Sequence, residues 1–173
     1  MRSHCIIVLF LLLAFNTLVS AHSLREEFHG NELNKENVER MLSKYSAEEG
    51  NIDKAYLGIC QAVMAQYYFL PTSKLKSFYD GKDLLDSSIE ENKDNGEIRY
   101  LRLLIQLNAP SFLFYNKNIN EDLQVFIRDV YNQNIDPYWS NIFISNLLKG
   151  KKLSPQQIEE LIQLKNTLVC QNP

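Results

Sequence analysis

The chain has 173 residues, 45% of them hydrophobic and 23% charged, and a formal net charge of −3 at pH 7. This length can bury one sizeable core, and the mild acidity argues against nucleic-acid binding, which depends on clustered lysines and arginines. The three histidines lie at positions 4, 22 and 29, before the first strong helical pattern. We therefore expect no histidine-based catalysis or metal binding in the folded core.

The segment 1–21 has the pattern of a secretory signal peptide. A single arginine precedes an apolar run, Cys5–Phe15, and the residues up to Ala21 suit a signal-peptidase site. The run is shorter than the roughly 20 residues that span a bilayer. We therefore expect cleavage near Ala21, export to the periplasm or the extracellular medium, and no membrane insertion of the mature chain. Residues 22–32 are expected to be a flexible lead-in, and 33–173 a single all-helical domain.

Apolar residues recur at helical spacing through the rest of the chain, and almost no stretch alternates as a half-buried strand would. Turn-forming residues such as Gly50, Leu70-Pro71, Asn95-Gly96 and Gly150 separate the periodic segments. Seven helices with short connections predict an all-α fold of antiparallel neighbours. The predicted helices cover about 35–45, 52–69, 73–91, 97–107, 121–132, 137–149 and 155–168.

Polar residues stand just before several of these helices, where they can accept hydrogen bonds from the free N–H groups of the first turn. The expected N-caps are Asn34, Thr72 or Ser73, Asn120, Asp136 before Pro137, and Ser154, which forms a capping box with Gln157. On the third helix, the residues expected to face the core are Leu75, Phe78, Tyr79, Leu85 and Ile89.

Two glycines lie inside predicted helices, where each costs about 1 kcal/mol relative to alanine. Leu70-Pro71 forms the predicted corner. Gly58 lies 12 residues before Leu70, and Gly81 lies 11 residues after it. At the rise of an α-helix, both are therefore roughly 17 Å from the corner. If the two helices fold back at Pro71, the glycines face each other and let the two backbones approach closely. The alternative is that each glycine is merely tolerated.

This arrangement resembles the tetratricopeptide-repeat hairpin. Tyr56-Leu57-Gly58 is similar to the Leu-Gly step in the first helix of that repeat, and Lys93-Asp94-Asn95 stands where the family has a turn. The aromatic, small, large and small positions of the second helix are matched by Phe78, Gly81, Leu85 and Ser88. The resemblance covers one stretched unit, 52–95, and implies a stack of helical hairpins with a face that grips peptides or proteins. The segment 75–115 is also similar to small exported helical proteins of Bacteroidota without an assigned function.

Two arginines are candidate binding residues. Arg99 and Arg102 lie three residues apart on one predicted helix, so their guanidinium groups can converge on a carboxylate or phosphate ligand. The alternative is that nearby acids such as Glu97, Glu121 or Asp122 pair with them and tie neighbouring helices together.

Aromatic residues supply the other candidates. Tyr67, Tyr68 and Phe69 cannot all face inward from one helix end, so Tyr68 and Phe69 are candidates for an exposed interaction surface. A second aromatic group suits either an interface or the core, and we interpret it as core: Phe112, Phe114 and Tyr115.

Removal of the signal would leave two cysteines, Cys60 and Cys170. An even number in an oxidising compartment is compatible with a disulfide bridge, and the alternative is two buried thiols.

No phosphate loop, nucleophile elbow or zinc motif occurs, so the sequence predicts no catalytic residue, no metal site and no cofactor. We expect a non-catalytic module that binds a protein or peptide whose identity the sequence does not give. Two alternatives stay open. The first is a helical carrier of an apolar ligand, which would need a cavity of about 300 Å³ or more. The second is an exported enzyme that works with carboxylates alone.

Overall fold

The protein is all-helical, as the sequence predicted. A computed structural model describes residues 24–45 and 50–171, and within them there are eight α-helices and no strand. None of these helices is long and apolar enough to cross a membrane. The predicted signal segment lies outside the described residues. The helices are α1 (24–30), α2 (Lys35–Tyr45), α3 (Asn51–Met64), α4 (Pro71–Glu91), α5 (Gly96–Asn108), α6 (Ile119–Tyr131), α7 (Pro137–Leu147) and α8 (Pro155–Gln171).

The chain divides by its contacts into two compact units. The N-terminal unit runs to Ser88 and the C-terminal unit begins at Ile89, so the boundary falls within the last turn of α4. Each unit therefore has its own set of packed helices and is described separately.

The N-terminal unit includes a helix that the sequence analysis missed. Residues 24–30, which were expected to be flexible, form α1, and its apolar pair Leu24 and Phe28 is buried. The carboxylate of Glu27 accepts hydrogen bonds from Arg40 Nε at 2.9 Å and from Lys44 Nζ at 3.0 Å. Two apolar residues four positions apart are enough to give a short helix a buried face, because they lie on the same side of it.

The predicted close approach of α3 and α4 at their glycines is present. A Cβ atom added to Gly58 would lie 2.9 Å from the carbonyl oxygen of Gly81, which is closer than real Cβ contacts. Side chains reinforce the contact nearer the corner, where Ser77 Oγ donates to the Gln61 carbonyl at 2.7 Å. The two bare backbones thus bring the helices together, and this compensates the low helix propensity of glycine.

Several helix ends match the sequence prediction. Asn34 accepts from the backbone N–H of Asn37, and Asp136 accepts from that of Tyr138 ahead of α7. The capping box at α8 is also formed, since Ser154 Oγ accepts from Gln157 N at 3.3 Å and Gln157 Oε1 accepts from Ser154 N at 2.8 Å.

Other helix ends were predicted wrongly. Helix α3 ends at Met64 and continues only as a 3-10 turn, Ala65–Tyr67. Helix α4 begins at Pro71, so Thr72 and Ser73 lie inside it and do not cap it. Proline is favoured at the first position of a helix, where no N–H is needed, so α4 begins two residues earlier than predicted. Helix α6 begins at Ile119, so Asn120 is likewise inside the helix.

In the C-terminal unit, α5 is buried along most of its length against α6 and α7. Tyr100 of α5 stacks on Phe143 of α7 with ring centroids 4.1 Å apart, and its hydroxyl accepts from Asn146 Nδ2 at 3.2 Å. At the start of α5, the Gly96 N–H donates to Asp129 of α6 at 2.6 Å. The single tryptophan, Trp139, is buried in this unit. Helix α5 therefore positions α6 and the loops that flank α6.

Candidate binding surfaces

The two candidate arginines lie inside the C-terminal unit and face an acid. Arg102 Nε donates to Asp122 Oδ2 at 2.7 Å, and Arg99 Nη1 donates to Asp122 Oδ1 at 2.8 Å. Asp122 is completely buried, and both arginines are nearly so. The i, i+3 spacing on α5 therefore does bring the guanidinium groups together, but on a carboxylate of α6.

Further contacts complete this cluster. Arg99 also donates to Glu121 Oε1 at 2.8 Å and to the Lys93 carbonyl at 2.8 Å. Hydrogen bonds from Asn118 and Arg99 lower the pKa of Glu121 below its ordinary value. Both guanidinium groups bind acidic side chains of α6. Arg99 and Arg102 therefore connect α5 to α6, which was the alternative to a ligand-binding role.

The aromatic residues after α3 differ in solvent exposure, as the sequence predicted. The hydroxyl of Tyr67 donates to the Leu33 carbonyl and is half-buried, whereas Tyr68, Phe69 and Leu70 point to solvent. The side chain of Phe69 is 94% exposed. The chain is extended at Tyr68, between the 3-10 turn and the start of α4.

Two further apolar side chains extend this surface along α4. Leu75 and Tyr79 were predicted to face the core, but they are 40% and 45% exposed. The buried stripe of α4 passes instead through Phe78 and Leu85, because Gly81 is the point of contact with α3. Leu75 and Tyr79 are one turn apart on the same side of the helix. We call the set Tyr68, Phe69, Leu70, Leu75 and Tyr79 the exposed apolar corner.

An open groove of about 860 Å³ lies between α6 and α8 in the C-terminal unit. Two side-chain pairs span it, since Gln157 Nε2 donates to Asn120 Oδ1 at 2.6 Å and Gln124 Nε2 approaches Glu160 Oε1 at 3.4 Å. The groove is lined by Asn116, Lys117, Ile119, Asn120, Leu123, Gln124, Lys151, Lys152, Leu153, Ser154, Gln156, Gln157 and Glu160. Its lining is mostly polar, so it differs from the apolar cavity that a lipid-like ligand requires.

Lysines set the charge of this groove. Lys152 Nζ donates to the carbonyl groups of Gln106 and Ala109, which holds one wall of the groove against the end of α5. Within the described residues, the side chains of Lys117 and Lys151 make no hydrogen bond or ion pair. The sequence analysis missed both lysines, because nothing in the sequence indicates that the starts of α6 and α8 lie side by side.

Two exposed phenylalanines precede the groove in the chain. Phe112 and Phe114 are 68% and 75% exposed, so their interpretation as core residues was wrong; Tyr115 is half-buried. Phe114 has φ 50° and ψ 28°, a left-handed conformation that is rare for a bulky side chain. The 3-10 turn Ser111–Leu113 ends at this residue, two positions before Asn116 in the chain.

A histidine lies inside the N-terminal unit, where none was expected. His29 Nε2 is 3.3 Å from Tyr56 Oη, and Phe28 packs edge-on against both rings. Burial, with a smaller effect of the Arg25 charge, lowers the pKa of His29 to about 4. Within residues 24–45 and 50–171, no group of three or more His, Cys, Asp or Glu side chains could hold a metal ion.

Cys60 carries a buried, free thiol, which corresponds to the second of the two interpretations of the cysteines, that of buried thiols. Burial raises the pKa of the thiol to about 12, so the thiolate is scarce at neutral pH. The side chain of Cys170 lies outside the described residues.

The chain is similar in sequence to part of a longer protein. Over 101 residues, 54% of its length, it is 30% identical to an uncharacterized ABC transporter ATP-binding protein of Haemophilus influenzae. The match spans only 17% of that relative. No protein-family model matches the chain, and no solved structure does. A match of this extent assigns no family.

Proposed function

We propose that this protein is an exported, non-catalytic module that binds a protein or peptide through the exposed apolar corner. The observation that carries the proposal is the side chain of Phe69, which is 94% exposed between two other exposed residues, Tyr68 and Leu70. Exposed aromatic groups of this kind supply much of the binding energy when a partner covers them. Three consecutive exposed residues, Tyr68, Phe69 and Leu70, distinguish this surface from singly scattered apolar exposure.

The exposed apolar corner joins two helices that are packed closely together. Helices α3 and α4 meet backbone to backbone at Gly58 and Gly81, and the Tyr67 hydroxyl fixes the chain just before the corner. Pro71 restricts the backbone just after it. Binding to a surface that is already ordered loses less conformational entropy than binding to a mobile loop, which favours recognition at this corner.

The two alternative functions have less support. The groove between α6 and α8 has a polar lining, which suits an apolar cargo poorly. The buried acid Asp122 is neutralised by two arginines, and such an acid is poorly suited to act as a base or nucleophile. The resemblance to a tetratricopeptide-repeat hairpin supports the binding function independently, since stacked hairpins of that family expose peptide-binding faces.

Site-specific photo-crosslinking tests the proposal. A photoreactive phenylalanine analogue is placed at Phe69 and, as a matched control, at Tyr131, an aromatic residue that is 59% exposed on α6. In the envelope and medium fractions of the source organism, we expect one discrete adduct from position 69 and none from 131. The partner is then purified, and Phe69→Ser should weaken its affinity by roughly 10-fold or more without changing the melting temperature.

Two results would contradict the proposal. One is the absence of any adduct at position 69, and the other is the same set of adducts at both positions, which would indicate nonspecific contact. An unchanged affinity of Phe69→Ser for the purified partner would likewise exclude the corner as the binding surface.

A further inference from the structure

We propose that the groove between α6 and α8 is a second binding site, which takes an extended acidic peptide segment. This site lies in the C-terminal unit and uses none of the residues of the exposed apolar corner. The inference therefore goes beyond the proposed function and stands or falls separately from it.

Charge is the first observation that points to an acidic ligand. Three lysines and one glutamate line the groove, a formal local charge of +2 on a chain whose net charge is −3. Lys117 and Lys151 are exposed and have no partner within the described residues, so both ammonium groups are available to a ligand. Carboxylates would complement them, because opposite charges steer association and fix register.

The neutral part of the lining suits a peptide backbone. Asn116 and Gln156 line the groove, and their amide side chains make no hydrogen bond within the described residues. Each amide offers both a donor and an acceptor, which is the pattern that an extended main chain presents. The groove has a volume of about 860 Å³ and is open along its length.

Two exposed aromatic residues, Phe112 and Phe114, come just before the groove-lining residue Asn116 in the chain. Phe114 lies two residues before Asn116, so the two Cα atoms are within about 7 Å of each other. Its left-handed backbone is an uncommon conformation that costs roughly 1 kcal/mol or more, and such residues cluster at binding sites. An apolar side chain next to the acidic residues of a peptide could pack against the exposed rings of Phe112 and Phe114.

A single-stranded nucleic acid is the other ligand class that combines aromatic and basic groups. The groove has no arginine, and one of its three lysines is already bound to carbonyl groups. The remaining two ammonium groups are too few for a backbone with one phosphate per nucleotide, whereas they match two carboxylates of a peptide. The observations thus favour the acidic peptide.

Fluorescence anisotropy with the full chain tests the inference. The probe is a fluorescein-labelled octapeptide that alternates Glu and Leu, and the control probe alternates Lys and Leu. We expect the acidic probe alone to bind, and to bind more weakly as the salt concentration rises from about 50 mM to about 500 mM. Lys117→Glu and Lys151→Glu should each weaken binding roughly fivefold.

Matched variants separate the site from general electrostatics. Lys93→Glu makes the same change in net charge on an exposed lysine of the same unit that does not line the groove, and it should leave the affinity unchanged. Phe114→Asn, which suits a left-handed backbone, should weaken binding without lowering the melting temperature. Phe69→Ser should bind the acidic probe normally, since the corner is not involved.

Three results would overturn the inference. The acidic probe fails to bind at millimolar concentration, Lys93→Glu weakens binding as much as the groove variants do, or a thymidine oligonucleotide displaces the probe at a lower concentration than unlabelled peptide does. The last result would assign the groove to single-stranded nucleic acid. A fourth contrary result would be displacement of the probe by inorganic phosphate at low millimolar concentration, since the lysines would then bind any small anion and not a peptide.

Discussion

Arg102 donates two hydrogen bonds to Asp122, from Nε to Oδ2 at 2.7 Å and from Nη2 to Oδ1 at 2.5 Å. The pair is buried between α5 and α6, and Arg99 binds the same carboxylate from the preceding turn of α5. The Asp122 carboxylate therefore binds two guanidinium groups that are both buried from solvent. The stability of the C-terminal unit should depend on this one acid far more than on its exposed neighbours.

Asp122→Ala is expected to destabilise the protein by about 3–5 kcal/mol, because Arg99 and Arg102 both lose the buried carboxylate that they bind. Glu121→Ala is the matched control, since the Glu121 side chain is 56% exposed and should contribute less than about 1 kcal/mol. Urea unfolding followed by circular dichroism measures both values. Equal effects of the two substitutions would contradict the central role of Asp122.

Gly81→Ala should destabilise the N-terminal unit despite the better helix propensity of alanine. The new Cβ would overlap the backbone N of Ala62 and the carbonyl oxygen of Gly58, and neither can move without shifting a helix. Overpacking of this kind costs about 1–3 kcal/mol. Gly30→Ala is the control, because nothing lies within 4 Å of its added Cβ. Thermal unfolding should show a lower melting temperature for the first variant alone, and a stable Gly81→Ala would refute the tight contact.

Acid should weaken the folded state through His29. Its pKa is about 4 in the folded protein, below the ordinary 6.5, so between these two values the unfolded chain binds a proton that the folded chain does not. Stability therefore falls as the pH drops from about 6.5 to 4, by up to about 3 kcal/mol. Unfolding measured across this interval should show the decline.

His29→Gln provides the comparison for that experiment. The variant lacks the titrating group, so its stability should be flatter over the same interval. Acid effects from the Glu27 carboxylate should remain in both proteins at lower pH. Although burial raises the pKa of Glu27, hydrogen bonds from Arg40, Lys44 and Tyr45 outweigh it and keep the pKa below its ordinary value. Identical pH profiles for the two proteins would rule out His29 as the cause.

Gln106→Met is expected to stabilise the protein by about 1 kcal/mol. The Gln106 side chain is fully buried, and within the described residues neither its Nε2 nor its Oε1 has a hydrogen-bond partner. Methionine has a similar length and removes the desolvation penalty of the amide, while the backbone carbonyl that Lys152 binds is kept. Gln163→Met, on an exposed site of α8, should change stability by less than about 0.5 kcal/mol. A clear loss of stability in Gln106→Met would indicate a buried water bound to the amide.

Features that depend on neighbours in the sequence were predictable. The caps at Asn34, Asp136 and Ser154 involve residues two or three positions away, so a short pattern contains all the information needed. The contact of Gly58 with Gly81 was also predictable, because one corner and the helical rise fix their positions.

Features that depend on how separate helices meet were not predictable. Leu75 and Tyr79 fit the apolar pattern predicted for the buried face of α4. The contact at Gly81 buries a different face of the helix, so both side chains are exposed. The arginine pair was found from its spacing, although the choice between a ligand and Asp122 required the position of α6. Lys117 and Lys151 come from two loops far apart in sequence, and only the folded chain places both along one groove.

The buried thiol of Cys60 gives the protein a built-in chemical reporter. In the native state this sulfur should be protected from alkylating reagents, and it becomes reactive only when the helices packed around it in the N-terminal unit open. The lone indole of Trp139 reports by fluorescence on the other half of the chain. Labelling kinetics and emission spectra can thus follow the melting of each half without any added dye or tag, and will reveal whether the two halves open together or one at a time.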